Sequence, residues 1–397
     1  MRMVRRRDSR HHRRVAGAVL AAALGVVIAA CSSTSSGTSS AGTTTAGSSA
    51  SVGSGAGVTG GSTLAGVQAA EAELKVAEAR SASINLPPVT APIPSGKTVS
   101  FVHCGVAVCD TIAAAIKNAA TVLGWKVDVI PTNGTPASVK AAWDTVVRLH
   151  PAVAFGSGFN RALFASEAAQ LASMKVPVMD WSTLDSPGQG ITFVKGGPSE
   201  VPVVGKQMAA WVVASTQGKA DTLYINLPTF VILQPVMEGF DSYYKQWCPG
   251  CKLSTMSVPL TSIGTTAPSL IVSYLRAHPD INRIAVGYDG VDVGLPAALA
   301  SAGLSGKVKF VGEAPTATNL AYVQAGTEGA TVAQGYYEIW SMYLDAAARA
   351  LTGQSLAPDT AWKVPWFLLT QSNYSQGTGY APIVTNLDGQ LKQIWKK

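Results

Sequence analysis

Residues 98–131 constrain the fold most, because they predict a strand, a loop, a helix and a second strand in immediate succession. Residues 98–103 are β-branched and aromatic, which is typical of a short buried strand. Apolar residues then recur at helical spacing before a second strand at 126–130. A crossover of this length joins parallel strands through a right-handed connection. The loop at 103–110 should therefore lie at the carboxyl edge of a sheet, where open α/β sheets bind ligands.

The rest of the chain repeats this alternation in two sets, separated by a long predicted helix at 198–215. The first set of strands is predicted at 98–103, 126–130, 152–156, 176–180 and 191–194. The second set is predicted at 222–226, 252–258, 284–287, 309–312, 330–333 and 364–369. Strands that alternate with helices indicate parallel sheets covered on both faces. The predicted fold class is therefore α/β, with two Rossmann-like lobes.

The positive charge of the chain is concentrated at its N-terminus. The formal net charge is +7, but the first thirty residues hold seven Arg and one Asp, which leaves 23 basic and 22 acidic side chains in the remainder. A nearly neutral body argues against nucleic-acid binding, which needs a basic face to displace phosphate counterions. The basic start of residues 1–30, followed by the apolar run at 15–30, predicts a signal peptide for export.

The signal peptide ends in Ile28-Ala29-Ala30-Cys31, which resembles the bacterial lipobox. That resemblance implies that Cys31 is lipidated and becomes the new first residue, so that the protein is anchored outside the cytoplasm on the cell membrane. The alternative is an ordinary signal peptide followed by an incidental cysteine.

Residues 31–95 are predicted to hold the body away from the membrane. Residues 32–63 are almost entirely Ser, Thr, Gly and Ala, which is typical of a flexible tether. Residues 64–83 offer few large apolar side chains, so we expect a solvated helical stalk. Four prolines follow, and they place the start of the folded body near Gly96.

From that point to residue 375 the chain resembles the type I periplasmic solute-binding proteins of the ribose-binding-like branch. The phrases that carry the resemblance are LGWKVDVI, VKGGPSEVPVVGKQMAAWV, VMEGFDSYYKQ, HPDINRIAVGYDGVDVGLPAALASAGLSGKVKFVG and GATVAQGYYEIW. The resemblance implies two lobes joined by three crossings, with a ligand enclosed between them by hinge closure and delivered to an ABC transporter permease. It places the first lobe at 96–199 and 335–356, the second lobe at 200–334 and 357–375, and a C-terminal tail at 376–397.

The resemblance also implies a cleft lined by the loop ends of both sheets. Gln334 and Asp289 match polar cleft positions of the family, whereas Gln234 stands where the family has Arg, and Glu313 stands near an expected Asp. The predicted ligand-binding residues are His103, Gly105, Phe159, Asn160, Trp181, Ser182, Phe230, Gln234, Tyr288, Asp289, Glu313 and Gln334. The lost charges and the aromatic rings favour a ligand with more apolar surface than a simple pentose or hexose. For His103, a side chain satisfied by its own loop is an equal alternative.

The four cysteines of the body predict two disulfides, because the protein is exported. The natural pairs are local, Cys104 with Cys109 and Cys248 with Cys251. The second pair resembles a thioredoxin-type redox motif, but a redox cysteine precedes a helix, whereas this pair is predicted to follow one.

No metal-ligand cluster, no cofactor motif and no combination of nucleophile, base and orienting group emerges from the sequence. We therefore expect a monomeric binding protein of an ABC importer that requires no cofactor and is not an enzyme. The alternative is a sensor of the same fold that presents its closed form to a membrane receptor.

Overall fold

Helices and strands alternate along the chain, as the sequence predicts. The computed structural model describes residues 58–375 and 379–397. The helices are α1 (Val58–Ala77), α2 (Val108–Leu123), α3 (Pro136–Leu149), α4 (Ala165–Ser173), α5 (Pro202–Ser215), α6 (Leu233–Trp247), α7 (Ala267–Ala277), α8 (Leu295–Ser301), α9 (Ala317–Ala325), α10 (Tyr336–Leu351), α11 (Ala357–Ala361) and α12 (Leu387–Trp395). The strands are β1 (Thr98–Val102), β2 (Lys126–Ile130), β3 (Val153–Ser157), β4 (Val178–Trp181), β5 (Phe193–Lys195), β6 (Asp221–Asn226), β7 (Lys252–Ser257), β8 (Arg283–Val286), β9 (Lys309–Glu313), β10 (Ala330–Gln334) and β11 (Trp366–Leu369).

Three predictions concern the N-terminus and lie outside the described residues. They are the signal peptide at 1–30, the lipidation site Cys31 and the tether up to residue 57. Within the described residues, no helix is both long enough and apolar enough to cross a membrane.

Two sheets form the centres of the two lobes, which confirms the predicted fold class. The first sheet has the order β2-β1-β3-β4-β5, and all of its strands are parallel. The second has the order β11-β10-β9-β8-β6-β7, with only β11 antiparallel to its neighbour. Parallel strands place their carboxyl ends at one edge, so the loops that follow them gather there.

Helix α10 completes the first lobe with residues that are distant in sequence from its sheet. Trp340 and Tyr343 are fully buried, and the Trp340 ring lies 5.5 Å from that of Phe101 on β1 and 5.7 Å from that of Phe155 on β3. The Tyr343 hydroxyl donates a hydrogen bond to the backbone oxygen of Asp180, 2.6 Å away. These contacts join α10 to three neighbouring strands.

The chain crosses between the lobes three times between β5 and β11. It enters the second lobe after β5, returns to the first lobe after β10, and enters the second lobe again before β11. The third of these crossings lies later than residue 357, where the second lobe was expected to resume. Helix α11 still packs on α10, because the buried side chain of Asp359 lies 3.4 Å from the Arg349 guanidinium.

The predicted C-terminal tail is part of the first lobe. Helix α12 packs on α2 and α10, with Leu391 and Trp395 buried. The Trp395 indole donates a hydrogen bond to Asp345 Oδ1, 2.6 Å away. This return from β11 is a further crossing between the lobes.

The predicted solvated stalk is also wrong, because α1 packs against α5 and α6 of the second lobe. Val67 and Ala70 are buried, and Lys206 Nζ lies 2.5 Å from Glu73 Oε2. A Cβ atom added to Gly66 would lie 1.9 Å from the backbone oxygen of Trp247, so the helix approaches too closely for any side chain there. The small residues that suggested a solvated stalk are what permit this close packing.

Residues 78–97, which we name the strap, run from α1 to the first lobe. Ile84, Leu86, Val89 and Ile93 are buried along the strap. Its backbone accepts side-chain hydrogen bonds that include those from Trp362 Nε1 to Ile84, from Arg349 Nη2 to Pro87 and from Trp125 Nε1 to Pro94. The folded body therefore begins well before Gly96, and the strap adds another crossing.

Candidate ligand-binding cleft

An inner cavity lies between the carboxyl edges of the two sheets and has a volume of about 60 Å³. Both lobes contribute to it. The apolar and aromatic side chains around it are Val106, Val108, Ile112, Trp181, Phe230, Ile232, Leu233, Tyr288 and Tyr336. The polar side chains around it are Ser157, Ser182, Glu313 and Gln334.

Strand ends position the Ser157, Trp181, Glu313 and Gln334 side chains. Trp181 is the last residue of β4, Glu313 of β9 and Gln334 of β10. The Trp181 ring stacks on Trp366 of β11, 5.9 Å away between centroids, which holds it at the cavity wall. Ser182 follows with φ of 58°, a left-handed conformation in which the chain turns sharply at the strand end.

The loop after β1 forms the wall on the side of the first lobe. A disulfide joins Cys104 to Cys109 across this loop, and a second joins Cys248 to Cys251 at the end of α6. Gly105 has φ of 81°, and a Cβ atom there would lie 2.6 Å from Gly134 N. Only glycine therefore fits at this turn.

The two lobes touch across the cleft. The rings of Phe159 in the first lobe and Phe230 in the second lie 5.6 Å apart between centroids. Leu260 of the second lobe lies so near Gly134 that a Cβ there would be 2.6 Å from Leu260 Cδ2. These contacts close the cleft around the inner cavity.

Glu313 and Gln334 form the polar end of the inner cavity. Gln334 Nε2 donates a hydrogen bond to Glu313 Oε2 at 3.2 Å, and both side chains are buried. Burial raises the pKa of Glu313 to about 8, although the hydrogen bond from Gln334 opposes this shift. Within the described residues Gln334 Oε1 has no hydrogen-bond partner. The pair can therefore both donate to and accept from a ligand oxygen.

Asp289, predicted in the cleft, is fully buried inside the second lobe and does not line the cavity. Thr331 donates a hydrogen bond to its Oδ2 at 2.5 Å, and the Asn319 amide donates to its backbone oxygen at 3.1 Å. Burial, then the nearby Asp292 carboxylate, raise its pKa well above the usual range. Asp289, Asp292 and Glu328 also have oxygens within 4.8 Å of one another, a grouping that the sequence did not reveal.

Three further predicted residues turn away from the cavity because each has a nearer partner. Gln234 is exposed, and its Nε2 lies 3.2 Å from Glu238 Oε1, one helical turn along. Asn160 accepts a hydrogen bond from the Thr183 hydroxyl at 2.9 Å. His103 Nδ1 accepts one from the Gly105 N–H at 3.0 Å, and its Nε2 lies 3.3 Å from Asp110 Oδ1.

An outer cavity of about 840 Å³ adjoins the inner one and shares Val106 and Tyr288 with it. Gly105 lines this outer cavity. Threonine is common on its walls, at Thr111, Thr135, Thr229, Thr261, Thr316 and Thr318. Sequence reasoning missed these residues, although most of them follow strand ends and could have been found by that position.

The family model for the periplasmic binding protein domain matches residues 99–355. A glucose-galactose binding protein from Geobacillus stearothermophilus has a TM-score of 0.61 at 17% identity, with 70% of this chain and 99% of that chain covered. An ABC transporter solute-binding protein from Burkholderia graminis, in complex with D-arabinose, has a TM-score of 0.62 at 16% identity, with 72% and 99% covered. A 5-methylthioribose transporter solute-binding protein from Thermotoga lettingae has a TM-score of 0.58 at 16% identity, with 66% and 83% covered. No curated protein shows a significant sequence match.

Proposed function

Because the chain belongs to the family of periplasmic binding protein domains, we propose that it is an extracytoplasmic solute-binding lipoprotein of an ABC importer. It captures a sugar-like or less polar solute between its lobes by hinge closure and presents the closed form to a permease in the membrane. The observation that carries this proposal is the inner cavity, whose walls come from both lobes. A solute held there would favour the closed arrangement by its contacts with both sides.

The similar structures support a ligand of this chemical class. They include proteins described as binding glucose and galactose, D-arabinose and 5-methylthioribose. The last of these ligands is a sugar derivative with an apolar substituent, so the fold accommodates ligands that are less polar than a simple sugar.

The first prediction concerns the lipid anchor. In a bacterial host that processes lipoproteins, Cys31→Ser is expected to move the protein from the membrane fraction to the soluble fraction, because the substitution removes the thiol that would carry the lipid. Ser32→Ala is the matched control and should leave the protein on the membrane. A Cys31→Ser protein that still sediments with membranes would contradict lipid anchoring.

The second prediction concerns solute capture. The exported protein carrying Cys31→Ser is tested against a panel of sugars, polyols, amino acids, nucleosides and small apolar ring compounds. One class of these compounds should raise its unfolding temperature. A ligand that binds only the folded state stabilises it by mass action, by about 2.7 kcal/mol at a concentration 100-fold above Kd. No shift with any member of the panel would count against solute capture.

Two glutamine variants then locate the site. Gln334→Ala should weaken binding of the identified solute about tenfold or more, because it leaves a buried polar group of the ligand without a partner. Gln234→Ala should leave the affinity unchanged, since Gln234 lies on the surface. Equal effects of the two substitutions would show that the inner cavity is not the binding site.

A further inference from the structure

The walls of the inner cavity have an unusual chemistry for a protein that would grip a polyhydroxylated ring. Its lining includes no Lys or Arg from the described residues, and its only ionisable carboxyl is Glu313. The hydrogen-bonding side chains that line it are Glu313 and Gln334, which contact each other at the ends of β9 and β10, and the hydroxyl-bearing Ser157, Ser182, Tyr288 and Tyr336. The opposite walls, built from the α2 start and the 230–233 segment, are aliphatic and aromatic.

These walls discriminate between ring compounds by the cost of burying hydroxyl groups. A hydroxyl that leaves water and finds no hydrogen-bond partner in the protein is strongly disfavoured. A sugar carries a hydroxyl on nearly every ring carbon, and any of those groups that lies against the apolar side chains of Val108, Ile112 or Leu233 would have no partner there. A hydrocarbon ring would instead gain from the removal of its surface from water.

Building on the proposed function, we propose that the inner cavity takes a neutral ring compound whose surface is mostly hydrocarbon and which carries one hydroxyl or carbonyl group for Glu313 and Gln334. Burial keeps Glu313 mostly protonated at pH 7, since its pKa is raised to about 8, so this side chain donates a hydrogen bond to a ligand oxygen. Gln334 Oε1, which is buried and has no partner in the described part of the chain, accepts one from a ligand hydroxyl.

The ligand enters by separation of the lobes. The present inner volume of about 60 Å³ has room for only about two water molecules, each of which occupies about 30 Å³ in the liquid. A six-membered ring therefore requires the Phe159 and Phe230 rings, one from each lobe, to move apart. The outer cavity borders the inner one at Val106 and Tyr288, so the path to solvent passes through it.

The experiment compares solutes that share a six-membered carbon ring and differ in their substituents. The Kd values of cyclohexanol, cis-cyclohexane-1,4-diol and myo-inositol are measured by calorimetry on the Cys31→Ser protein, with D-glucose and cyclohexylamine as further probes. We expect cyclohexanol to bind at least tenfold more tightly than myo-inositol, with the diol between them. Tighter binding of myo-inositol, D-glucose or cyclohexylamine than of cyclohexanol would overturn the inference.

The outcomes separate this inference from the proposed function. If D-glucose binds and cyclohexanol does not, the apolar ligand class is wrong while solute capture by the cleft stands. If none of the ring probes binds, the ligand class is overturned, and the wider panel of solutes decides the proposed function by itself.

A pair of valine variants tests whether the apolar wall sets the preference. Val108→Thr replaces one methyl group of the inner wall by a hydroxyl of similar size, and should weaken cyclohexanol binding about fivefold or more and narrow the preference over myo-inositol. Val122→Thr, at the far end of the same helix α2, should change neither. Thermal unfolding confirms that both variants are folded, and an unchanged preference in folded Val108→Thr would overturn the role of the wall.

Discussion

A protein that begins at Gly96 is expected to unfold with a free energy at least 3 kcal/mol lower than one that begins at Val58. The shorter protein lacks α1 and residues 78–95 of the strap. These segments bury apolar side chains against both lobes, and the strap residues accept hydrogen bonds from Trp125, Arg349 and Trp362. Each buried donor that loses its acceptor costs about 1–3 kcal/mol. Urea unfolding of both proteins, followed by tryptophan fluorescence, gives the two free energies. Equal free energies of unfolding for the two proteins would show that the folded body begins near Gly96.

Single substitutions test the same contacts without removing any chain. Ile84 is 1% exposed, and Ile84→Ala should lower the free energy of unfolding by about 2–5 kcal/mol because it leaves a cavity between the strap and the first lobe. Val76 in α1 is 69% exposed, and Val76→Ala should change the free energy of unfolding by less than about 0.5 kcal/mol. A large loss from Val76→Ala, or none from Ile84→Ala, would contradict the packing of this segment.

The two-lobe fold could be predicted because its parallel strands are short apolar runs separated by amphipathic helices. The predicted strand at 126–130 coincides with β2, and the predicted helix at 136–149 coincides with α3. The N-terminal extension could not be predicted in the same way. Helix α1 packs through Gly66 and Ala70, and such small residues give the same composition in a solvated tether as in a close helix contact.

The direction of a cleft side chain is easiest to predict where the residue ends a strand. Trp181 and Gln334 reach the inner cavity because each ends a strand at the carboxyl edge. Gln234 and Asp289 do not reach the inner cavity, because the side chain of each forms a hydrogen bond elsewhere. For Gln234 the partner is one helical turn away, but for Asp289 it is Thr331 on another strand, a contact that depends on the three-dimensional arrangement.

Removal of the Arg349 guanidinium is expected to have the other large effect on stability. Arg349 is buried, and its Nε lies 2.6 Å from Asp345 Oδ2 and 3.4 Å from Asp359 Oδ2. Its Nη2 donates to Pro87 of the strap, while Asp345 accepts the indole N–H of Trp395. This one side chain therefore joins α10 and α11 to the strap, and through Asp345 to α12.

Arg349→Met should lower the free energy of unfolding by about 3–5 kcal/mol at pH 7, because it leaves a buried carboxylate without its cation.

Asp359→Asn should lower the free energy of unfolding by less than about 1 kcal/mol. Burial, then the neighbouring Asp345, raise the pKa of Asp359 to about 8, so this carboxyl is mostly neutral at pH 7 and an amide imitates it. Raising the pH from 6.5 to about 8 should therefore destabilise the wild type more than Asp359→Asn, because the unfolded chain releases the Asp359 proton in this range while the folded state retains it. Urea unfolding of the three proteins at pH 6.5 and pH 9 measures both effects, and a larger loss from Asp359→Asn than from Arg349→Met at pH 6.5 would show that Asp359, and not Asp345, carries the negative charge of this cluster.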